Sequence, residues 1–445
     1  MANRGPLCVL VVLAACDPPP DPPMDADPGS LERVATFPAT PRALDLMFVI
    51  DDSPSMADKQ FALASTFPQL ASRLEAFDGG LPDLHISVVS TDMGTSASAN
   101  EMPGTSIGSI GQGGCAQRGK NGAFVVQPNV LRSTTTTNYL QRPRGGEPNY
   151  NGPLVDALRT QVKLGAGGCG FEQPLAAMKA ALENPSNSGF VRPDASLAIV
   201  ILSDEDDCSA RNTTLFLPDT AALGPLQSFR CFRFGVECSP DTVTEVGTKT
   251  ACRPRQSEDR LLDEVAPFHA AVLAAKGNDA RKVMLAAIVA PADTVAVELR
   301  APPNGGQSQL VIDHACEYPD TMGMDAVADP AVRLSAFIDE FEGLHVRETI
   351  CSANLAPAAA SIGGELERLI VGDRCLYRAV ASTERCIVVD ETADDPAVPI
   401  AKCGGGASTC WEIVPDGACS SGMRLDVART QPAAPNTFTT LRCGT

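Results

Sequence analysis

Two aspartates and two serines end an apolar run near the start of the chain, in the stretch ALDLMFVIDDSPSMADK at 43–59. Asp51, Ser53 and Ser55 alternate along this turn, so their oxygen atoms can converge on one point. Hard divalent cations such as Mg²⁺ and Ca²⁺ prefer oxygen ligands of this kind. The same pattern also suits a helix cap, in which Asp51 or Ser53 accepts the first amides of a helix that begins near Met56.

A second acidic run favours the metal interpretation. The stretch SLAIVILSDEDDCS places Asp204 at the carboxyl end of another apolar strand, and ligands of open α/β sheets bind at such ends. Asp92 in VVSTDMGT also ends a strand and is either a rim residue of the same site or a turn former. Residues 205–207 lack the glycine and distal glutamate of an EF-hand, so we expect them to form a solvated loop.

The elements that must position these residues alternate along the chain. Apolar, strand-like runs lie at 44–50, 84–90, 123–126, 197–202 and 283–289, and helical periodicity is found near 56–76, 150–163, 173–184 and 330–342. Several strands are apolar throughout, as expected for a parallel sheet with helices on both faces. The sequence therefore predicts an α/β fold with an open, doubly wound, mostly parallel sheet.

With this order of elements, the chain resembles the von Willebrand factor A (vWA) family. Its metal-ion-dependent adhesion site (MIDAS) joins a DxSxS turn, a threonine on a later loop and an aspartate after a further strand. Asp51, Ser53 and Ser55 match the turn, and Asp204 matches the last aspartate. The resemblance covers 40–345. It implies that the serines bind one Mg²⁺ or Ca²⁺ directly, that the aspartates act largely through water, and that one open position receives a partner's carboxylate.

The threonine is where this chain departs from the family. The loop GAGGCGFEQPLAAMKAAL offers Glu172, with Gln173 beside it, and has no threonine. A ligating Glu172 would neutralise the ion more fully than a hydroxyl does and would weaken its attraction for a partner carboxylate. The alternative is that Glu172 only favours the positive end of the following helix. The predicted metal ligands are Asp51, Ser53, Ser55, Glu172 and Asp204.

The first residues predict export and anchoring. Arg4 precedes an apolar stretch that closes in Leu13-Ala14-Ala15-Cys16, which resembles a bacterial lipobox. This implies a signal peptide over 1–15, a lipid on Cys16, and a Pro/Asp-rich tether over 16–39. The alternative is an ordinary secretory signal with a chance cysteine. We therefore expect a lipid-anchored protein of the bacterial cell envelope, with the lipid as its only membrane contact and the choice of membrane left open.

Cysteine usage agrees with an oxidising compartment. Of the 16 cysteines, Cys8 lies in the predicted signal peptide and Cys16 is the predicted lipidation site. The other 14 predict up to seven disulfides, with the pairing left open. They are Cys115, Cys169, Cys208, Cys231, Cys238, Cys252, Cys316, Cys351, Cys375, Cys386, Cys403, Cys410, Cys419 and Cys443.

Two further regions complete the predicted organisation. An insertion near 205–281 carries four cysteines and basic patches, and it either contacts a partner or covers the sheet. The segment 346–445 begins with a helical stretch and ends in short Gly- and Cys-rich strands, which predicts a small disulfide-rich C-terminal β appendage.

The expected function is binding rather than catalysis. A net charge of −19 disfavours nucleic acid and favours cations or basic partners. No histidine accompanies the motifs and no GxSxG occurs, so we expect no enzyme. We expect an adhesion or binding protein that recognises a protein or surface polymer through its metal. The alternatives are a structural envelope lipoprotein with a vestigial site and, less favoured, a metal-dependent hydrolase.

Overall fold

The computed structural model describes residues 31–39, 42–76, 81–100, 102–239, 242–302, 305–392, 396–417, 419–431, 433–434 and 437–444. Within these ranges the chain forms eight α-helices and five β-sheets, a mixed α/β architecture. The predicted signal peptide, Cys16 and most of the predicted tether lie outside the described residues. Among the described residues, no helix is long and apolar enough to cross a membrane.

The strands, in chain order, are β1 (Leu31–Pro38), β2 (Leu44–Ile50), β3 (Leu84–Ser90), β4 (Leu140–Arg142), β5 (Ser196–Leu202), β6 (Val236–Glu237), β7 (Gly247–Lys249), β8 (Arg253–Pro254), β9 (Val283–Val289), β10 (Val295–Arg300), β11 (Gln309–Ile312), β12 (Cys316–Pro319), β13 (Asp325–Ala328), β14 (Leu344–Thr349), β15 (Cys386–Glu391), β16 (Val398–Lys402), β17 (Thr409–Pro415), β18 (Met423–Arg429) and β19 (Phe438–Gly444). The helices are α1 (Ala57–Glu75), α2 (Leu154–Gln161), α3 (Pro174–Glu183), α4 (Thr220–Leu223), α5 (Phe229–Gly235), α6 (Ala266–Ala274), α7 (Val332–Asp339) and α8 (Ala356–Val371).

A six-stranded central sheet carries the residues of interest. Its order is β14-β9-β5-β2-β3-β4, and every neighbouring pair is parallel except β3 with β4. The residues of β2, β3, β5 and β9 are all buried, which explains why β2, β5 and β9 are apolar almost throughout. Four of the five predicted strands and all four predicted helical segments are confirmed within a few residues.

Helices cover both faces of the central sheet, and successive residues of β2 contact opposite layers. Phe48 packs in one core with α1, α2 and α8, and its ring meets that of Phe67 edge to face at 5.6 Å. Val49 belongs to the other core, which α3, α6 and α7 cover and which also contains Leu175 and Phe337. Strand alternation therefore divides one apolar run between two cores.

The predicted strand at 123–126 is wrong. Only Phe124 makes a bridge, to Val89, and the outer neighbour of β3 is β4 instead. The reason is that side chains satisfy the backbone here. The Phe124 amide donates to Asn187 Oδ1, and Gln161 bonds both the Val125 carbonyl and the Gln127 amide, so no strand ladder is needed.

A second six-stranded sheet contains the C-terminal strands in the order β1-β19-β15-β16-β17-β18. Its first member, β1, occupies the last part of the segment predicted as tether, because Val34 and Phe37 bury their side chains in this sheet's core. The boundary predicted after residue 345 falls inside β14, and α8 packs in the central core. The C-terminal sheet therefore includes a strand from each end of the described chain.

The 14 cysteines predicted to be structural form seven disulfides, which confirms that prediction. The pairs are Cys115–Cys169, Cys208–Cys231, Cys238–Cys252, Cys316–Cys351, Cys375–Cys419, Cys386–Cys443 and Cys403–Cys410. Disulfides in this number are typical of proteins that fold outside the reducing cytoplasm.

Candidate functional site

The central sheet brings the DxSxS turn and the second acidic run together. Asp51 follows β2 directly, and Asp204 lies two residues beyond β5. Ile50 pairs with Leu202 in parallel register, so both chains leave the sheet at the same edge. The strands β2 and β5 are therefore neighbours, as the prediction of a shared site requires, and they place both aspartates at the same edge of the sheet.

Hydrogen bonds connect the residues of the DxSxS turn to Asp204. The Ser53 amide donates to Asp51 Oδ1 at 2.8 Å, and the hydroxyls of Ser53 and Ser55 lie 3.2 Å apart. The Ser55 hydroxyl donates to Asp204 Oδ1 at 3.1 Å, and the Ser203 hydroxyl donates to Asp51 Oδ2 at 2.8 Å. Five oxygen-bearing side chains thus form one bonded group at the end of β2 and β5.

The helix-cap interpretation of this turn is wrong. Helix α1 begins at Ala57, its N-cap residue is Met56, and no side chain caps it. Asp51 instead directs its two carboxylate oxygens to the Ser53 amide and the Ser203 hydroxyl. The side chains of this turn therefore do not cap the start of α1.

Glu172 lies in the loop before α3 and is only 1% exposed. Its Oε1 has no hydrogen-bond partner among the described residues. The amide of Leu175 in the first turn of α3 bonds Asp207 Oδ1, and that of Ala176 bonds the Ser209 hydroxyl. Other side chains therefore bond these amides of α3, and Glu172 Oε1 is buried and could accept a ligand.

The Glu172 loop is held close to the DxSxS turn by its backbone and a disulfide. The Gly168 amide donates to the Asp52 carbonyl at 2.7 Å, and a Cβ on Gly168 would lie only 2.8 Å from that carbonyl oxygen. Only glycine permits this approach. The Cys115–Cys169 disulfide and the Gly170 amide, which bonds Gly113, join the same loop to the segment before it.

Glu205 is a residue that the sequence analysis assigned incorrectly to a solvated loop. It is half-buried, and burial together with Asp329, Asp204 and Asp51 raises the pKa of its carboxyl group well above the ordinary value. Asp206 accepts the backbone amides of Arg333 and Leu334, and Asp207 is fully buried against the Arg333 guanidinium at 2.9 Å. The Arg333 guanidinium and two backbone amides of α7 therefore hold Asp206 and Asp207 against the protein.

Asp51, Glu172, Asp204 and Glu205, which we call the acidic cluster, raise one another's affinity for protons. Burial and then the neighbouring Asp204 raise the pKa of Asp51 to about 7. Burial, Glu205 and Asp51 raise the pKa of Glu172 well above its ordinary value, and burial with nearby carboxyls does the same to the pKa of Glu205. Burial also raises the pKa of Asp204. Such a cluster favours either protons or a cation.

One cation is already present, and the sequence analysis missed it. Lys59 is 3% exposed, and its Nζ lies 3.1 Å from Asp204 Oδ2 and 3.0 Å from the Ser55 carbonyl. Its position, one helical turn after Ser55, is the only signal that sequence offered. Lys59 opposes the rise in the pKa of Asp204, but it is not among the main influences on Glu172 or Glu205.

The donor set meets the chemical test for a hard divalent cation, while the present geometry is not that of a formed metal site. Within the ranges that the structure describes, no group of three or more His, Cys, Asp or Glu side chains is arranged to hold a metal ion. The direct bond between Ser55 and Asp204 occupies donors that an ion would need. The buried Oε1 of Glu172 has no such bond, but a cation here would require the Ser55–Asp204 contact to open, Lys59 to leave Asp204 Oδ2 and the carboxyls to converge.

Asp92 belongs to a separate group on the other side of Asp52. Its Oδ1 accepts the Gly94 amide at 2.9 Å, and its amide donates to the Ser90 hydroxyl. Burial raises the pKa of Asp92, the Gly94 amide opposes this rise, and Asp52 adds to it. Asp52 itself pairs with Lys120. Asp92 therefore bonds as a turn former does, and within the described residues none of its hydrogen bonds reaches the acidic cluster.

A histidine also approaches the site from a distant part of the chain. The Asp329 amide donates to the Asp204 carbonyl at 2.8 Å, and the Asp329 carboxylate bonds His314 Nδ1 at 2.6 Å. Arg300 lies 2.8 Å from His314 Nε2. Because a guanidinium has only donors, Nε2 must accept this bond and is not available as a general base in this arrangement.

Neither a protein family model nor a curated protein sequence matches this chain. Among solved structures, the crystal structure of the human COPII-coat protein Sec24c is similar, with a TM-score of 0.27 and 11% sequence identity. The match covers 92% of this chain and 39% of the Sec24c chain, so this chain spans well under half of that protein's length. A TM-score at this level carries no argument about function.

Proposed function

We propose that this chain is an extracytoplasmic binding protein, anchored by a lipid on Cys16, that recognises a protein or surface polymer partner. Its binding element is a doubly wound domain of the von Willebrand factor A type. A single Mg²⁺ or Ca²⁺ would be held by Asp51, Ser53, Ser55, Glu172 and Asp204. The ion would supply a positive centre for an oxygen atom of the partner.

The observation that carries this proposal is the unpaired Oε1 of Glu172. It is buried beside Asp51, Asp204 and Glu205, and these carboxyls dominate its electrostatic surroundings. Burial beside these carboxyls raises the pKa of Glu172, and a bound cation would replace the proton that this raised pKa favours. The central sheet supports the proposal further, since β2 and β5 are neighbours and present the two matching motifs at one edge.

A structural envelope protein is the second candidate, and Lys59 favours it. Its ammonium group contacts Asp204 directly and supplies positive charge without any metal. In such a protein the DxSxS turn would be retained for folding alone. The hydrolase alternative has less support, since Arg300 occupies His314 Nε2.

Calorimetric titration of Ca²⁺ and Mg²⁺ separates these candidates. We expect the parent to bind one ion, Asp204→Asn to bind it at least tenfold more weakly, and Glu172→Thr also to bind it more weakly, because each loses a negative ligand. Glu147→Gln is the matched control, since its side chain is 87% exposed and it loses the same charge. Absence of metal binding by the parent would leave the structural candidate.

A loss of affinity confined to Asp204→Asn would instead remove Glu172 from the ligand set. Metal binding should also raise the melting temperature of the parent by mass action, and by less in either ligand variant.

A further inference from the structure

A cavity of about 440 Å³ lies between the insertion and the strands β10 and β11. Its walls come from the end of α4 and the residues after it, from α5, and from the ends of β10 and β11 that face each other along the chain. None of the predicted metal ligands lines it. Its volume falls within the usual range of about 300–1,000 Å³ for small-molecule sites, so the cavity is large enough for a ligand of that class.

Arg233 is the only ionisable side chain among the described residues that line this cavity. It lies in the last turn of α5, and its guanidinium carbon lies 4.9 Å from the centroid of the Phe234 ring. Within the part of the chain that the structure describes, this guanidinium has no ion pair and no hydrogen bond. The cavity therefore contains a positive group whose hydrogen-bond donors are not used by the protein.

The wall next to Arg233 is held in place by Arg230, which precedes it by three residues on α5. The buried Arg230 guanidinium donates to four backbone carbonyls, which are those of Leu215, Leu217, Gly224 and Pro225. Gly224 has a φ of 77°, and a Cβ at this position would lie 3.3 Å from Arg233 Nη1. The wall is therefore fixed in the absence of a ligand, and glycine at this position leaves space around the guanidinium.

The chemistry of the other walls limits what Arg233 could bind. Leu223, Phe229 and Leu310 are apolar, and the polar lining residues, one threonine, one serine and two glutamines, are uncharged. A guanidinium binds a carboxylate through two parallel hydrogen bonds, and apolar walls favour an apolar body beside that carboxylate. The net charge of −19 repels anions, and this repulsion grows with the charge of the ligand. The cavity therefore favours a monocarboxylate over a phosphate or a dicarboxylate.

We propose that this cavity binds a small organic acid with one carboxylate and an apolar body. The carboxylate would bond Arg233, and the body would lie against Leu223, Phe229 and Leu310. This site goes beyond the proposed recognition of a partner through a metal, and it does not require the ion, because none of its walls is a predicted metal ligand.

Ligand-observed NMR tests this proposal on the oxidised protein at pH 7. Metal is removed beforehand with a chelating resin, so that no soluble chelator competes for Arg233. We expect saturable binding of phenylpropanoate. We expect at least tenfold weaker binding of phenylpropanamide, which keeps the body without the charge, and of acetate, which keeps the charge without the body. Equal binding of phenylpropanoate and its amide would overturn the proposal.

The peptide acetyl-Gly-Gly-Phe carries the same carboxylate and ring at the end of a chain. We expect it to bind no more tightly than phenylpropanoate, because the proposed ligand is a free acid. Tenfold tighter binding of the peptide would assign the cavity to a peptide terminus and would overturn the proposal of a small acid.

Substitutions locate the bound probe. Arg233→Met keeps an unbranched stem and removes the guanidinium, so it should weaken phenylpropanoate binding at least tenfold. Arg281→Met is the matched control, since the Arg281 side chain is 86% exposed and does not line the cavity, and it should leave binding unchanged. Unchanged binding in Arg233→Met would overturn the proposal.

A second pair of variants decides if Arg233→Met lowers the melting temperature. Leu299 lines the cavity and is 59% exposed, so polar substitutions there should be tolerated. Leu299→Glu should weaken phenylpropanoate binding at least threefold more than Leu299→Gln, because only glutamate repels the carboxylate. Equal effects would place the probe elsewhere and overturn the proposal. Because metal is absent throughout, failure of this site is distinguishable from failure of metal binding.

Discussion

Replacement of Asp51 by asparagine should stabilise the metal-free protein at alkaline pH. Asp51 is fully buried, and its two oxygens accept bonds from the Ser53 amide and the Ser203 hydroxyl. In Asp51→Asn, the amide oxygen can keep the bond from Ser53, and the amide nitrogen can donate to the Ser203 oxygen. The Ser203 hydroxyl then donates to the Glu205 carbonyl, which already lies 3.0 Å away. No hydrogen bond is lost, and one buried charge is removed.

The size of the effect follows from the pKa of Asp51. Burial and Asp204 raise this pKa from the ordinary value of 3.8 to about 7, so the native state keeps a proton that the unfolded chain releases. The free energy of unfolding therefore falls as pH rises between these values. Between pH 5 and the native pKa, a span of about two pH units, the native state holds one more proton than the unfolded chain. The free energy of unfolding is therefore about 3 kcal/mol lower at pH 8 than at pH 5.

Urea unfolding of the oxidised protein in EDTA, followed by circular dichroism at pH 5 and pH 8, measures this difference. Trp411 is unsuitable as a probe, since it lies in the C-terminal sheet. We expect Asp51→Asn to gain about 3 kcal/mol relative to the parent between the two pH values, whereas Glu147→Gln gains nothing. Equal pH dependence of parent and variant would refute the reasoning. Added Ca²⁺ should reduce the variant's advantage, because only the parent retains the full ligand set.

Three further predictions concern the anchor, the disulfides and the Asp207–Arg333 ion pair. Cys16→Ser should move the protein from the detergent phase to the aqueous phase or leave it unprocessed, and a processed parent in the aqueous phase would contradict anchoring. Peptide mapping of non-reduced protein should recover the seven observed disulfides, and several free thiols would contradict them. Arg333→Met should destabilise the protein by about 3–5 kcal/mol, because it leaves the buried Asp207 without its cationic partner. Adding Asp207→Asn should recover part of that loss, and no recovery would argue against the pair.

The central sheet could be predicted because its strands obey a local rule. A strand that is buried on both faces must be apolar along its whole length, and β5 and β9 are sequences of this kind. The meeting of Asp51 with Asp204 also followed from a general rule about strand ends. These features depend on residues close together in sequence or on the shared direction of neighbouring strands.

The missed features depend on contacts between distant segments. Glu205 looked like part of a solvated acidic run, but α7 provides Arg333 and two backbone amides, 126 to 128 residues later, that draw the run inward. His314 reaches the site only because the Asp329 amide bonds Asp204. Sequence patterns carry no record of such pairings, since each partner on its own resembles an ordinary surface residue.

The same limit applies to the strand β1, whose proline-rich approach resembles a tether. Its pairing with β19 is antiparallel and joins Thr36 to Thr440 across a separation of 404 residues. Nothing near Leu31–Pro38 in the sequence identifies this partner. The apolar residues Val34 and Phe37 were the only local indication that the segment packs against something.

That pairing constrains the order in which the chain can fold as it emerges from its N-terminus to its C-terminus. The central sheet is complete once β14 has emerged, whereas β1 must wait until β19 appears. Until then Val34, Ala35 and Phe37 remain uncovered on an unpaired strand, which is a hazard for intermolecular strand pairing. Closure of Cys386 with Cys443, which pair across β15 and β19, would then fix the last strand in place. The first described strand is therefore completed by the last one, and the disulfide that holds the last strand also secures the pairing of the first.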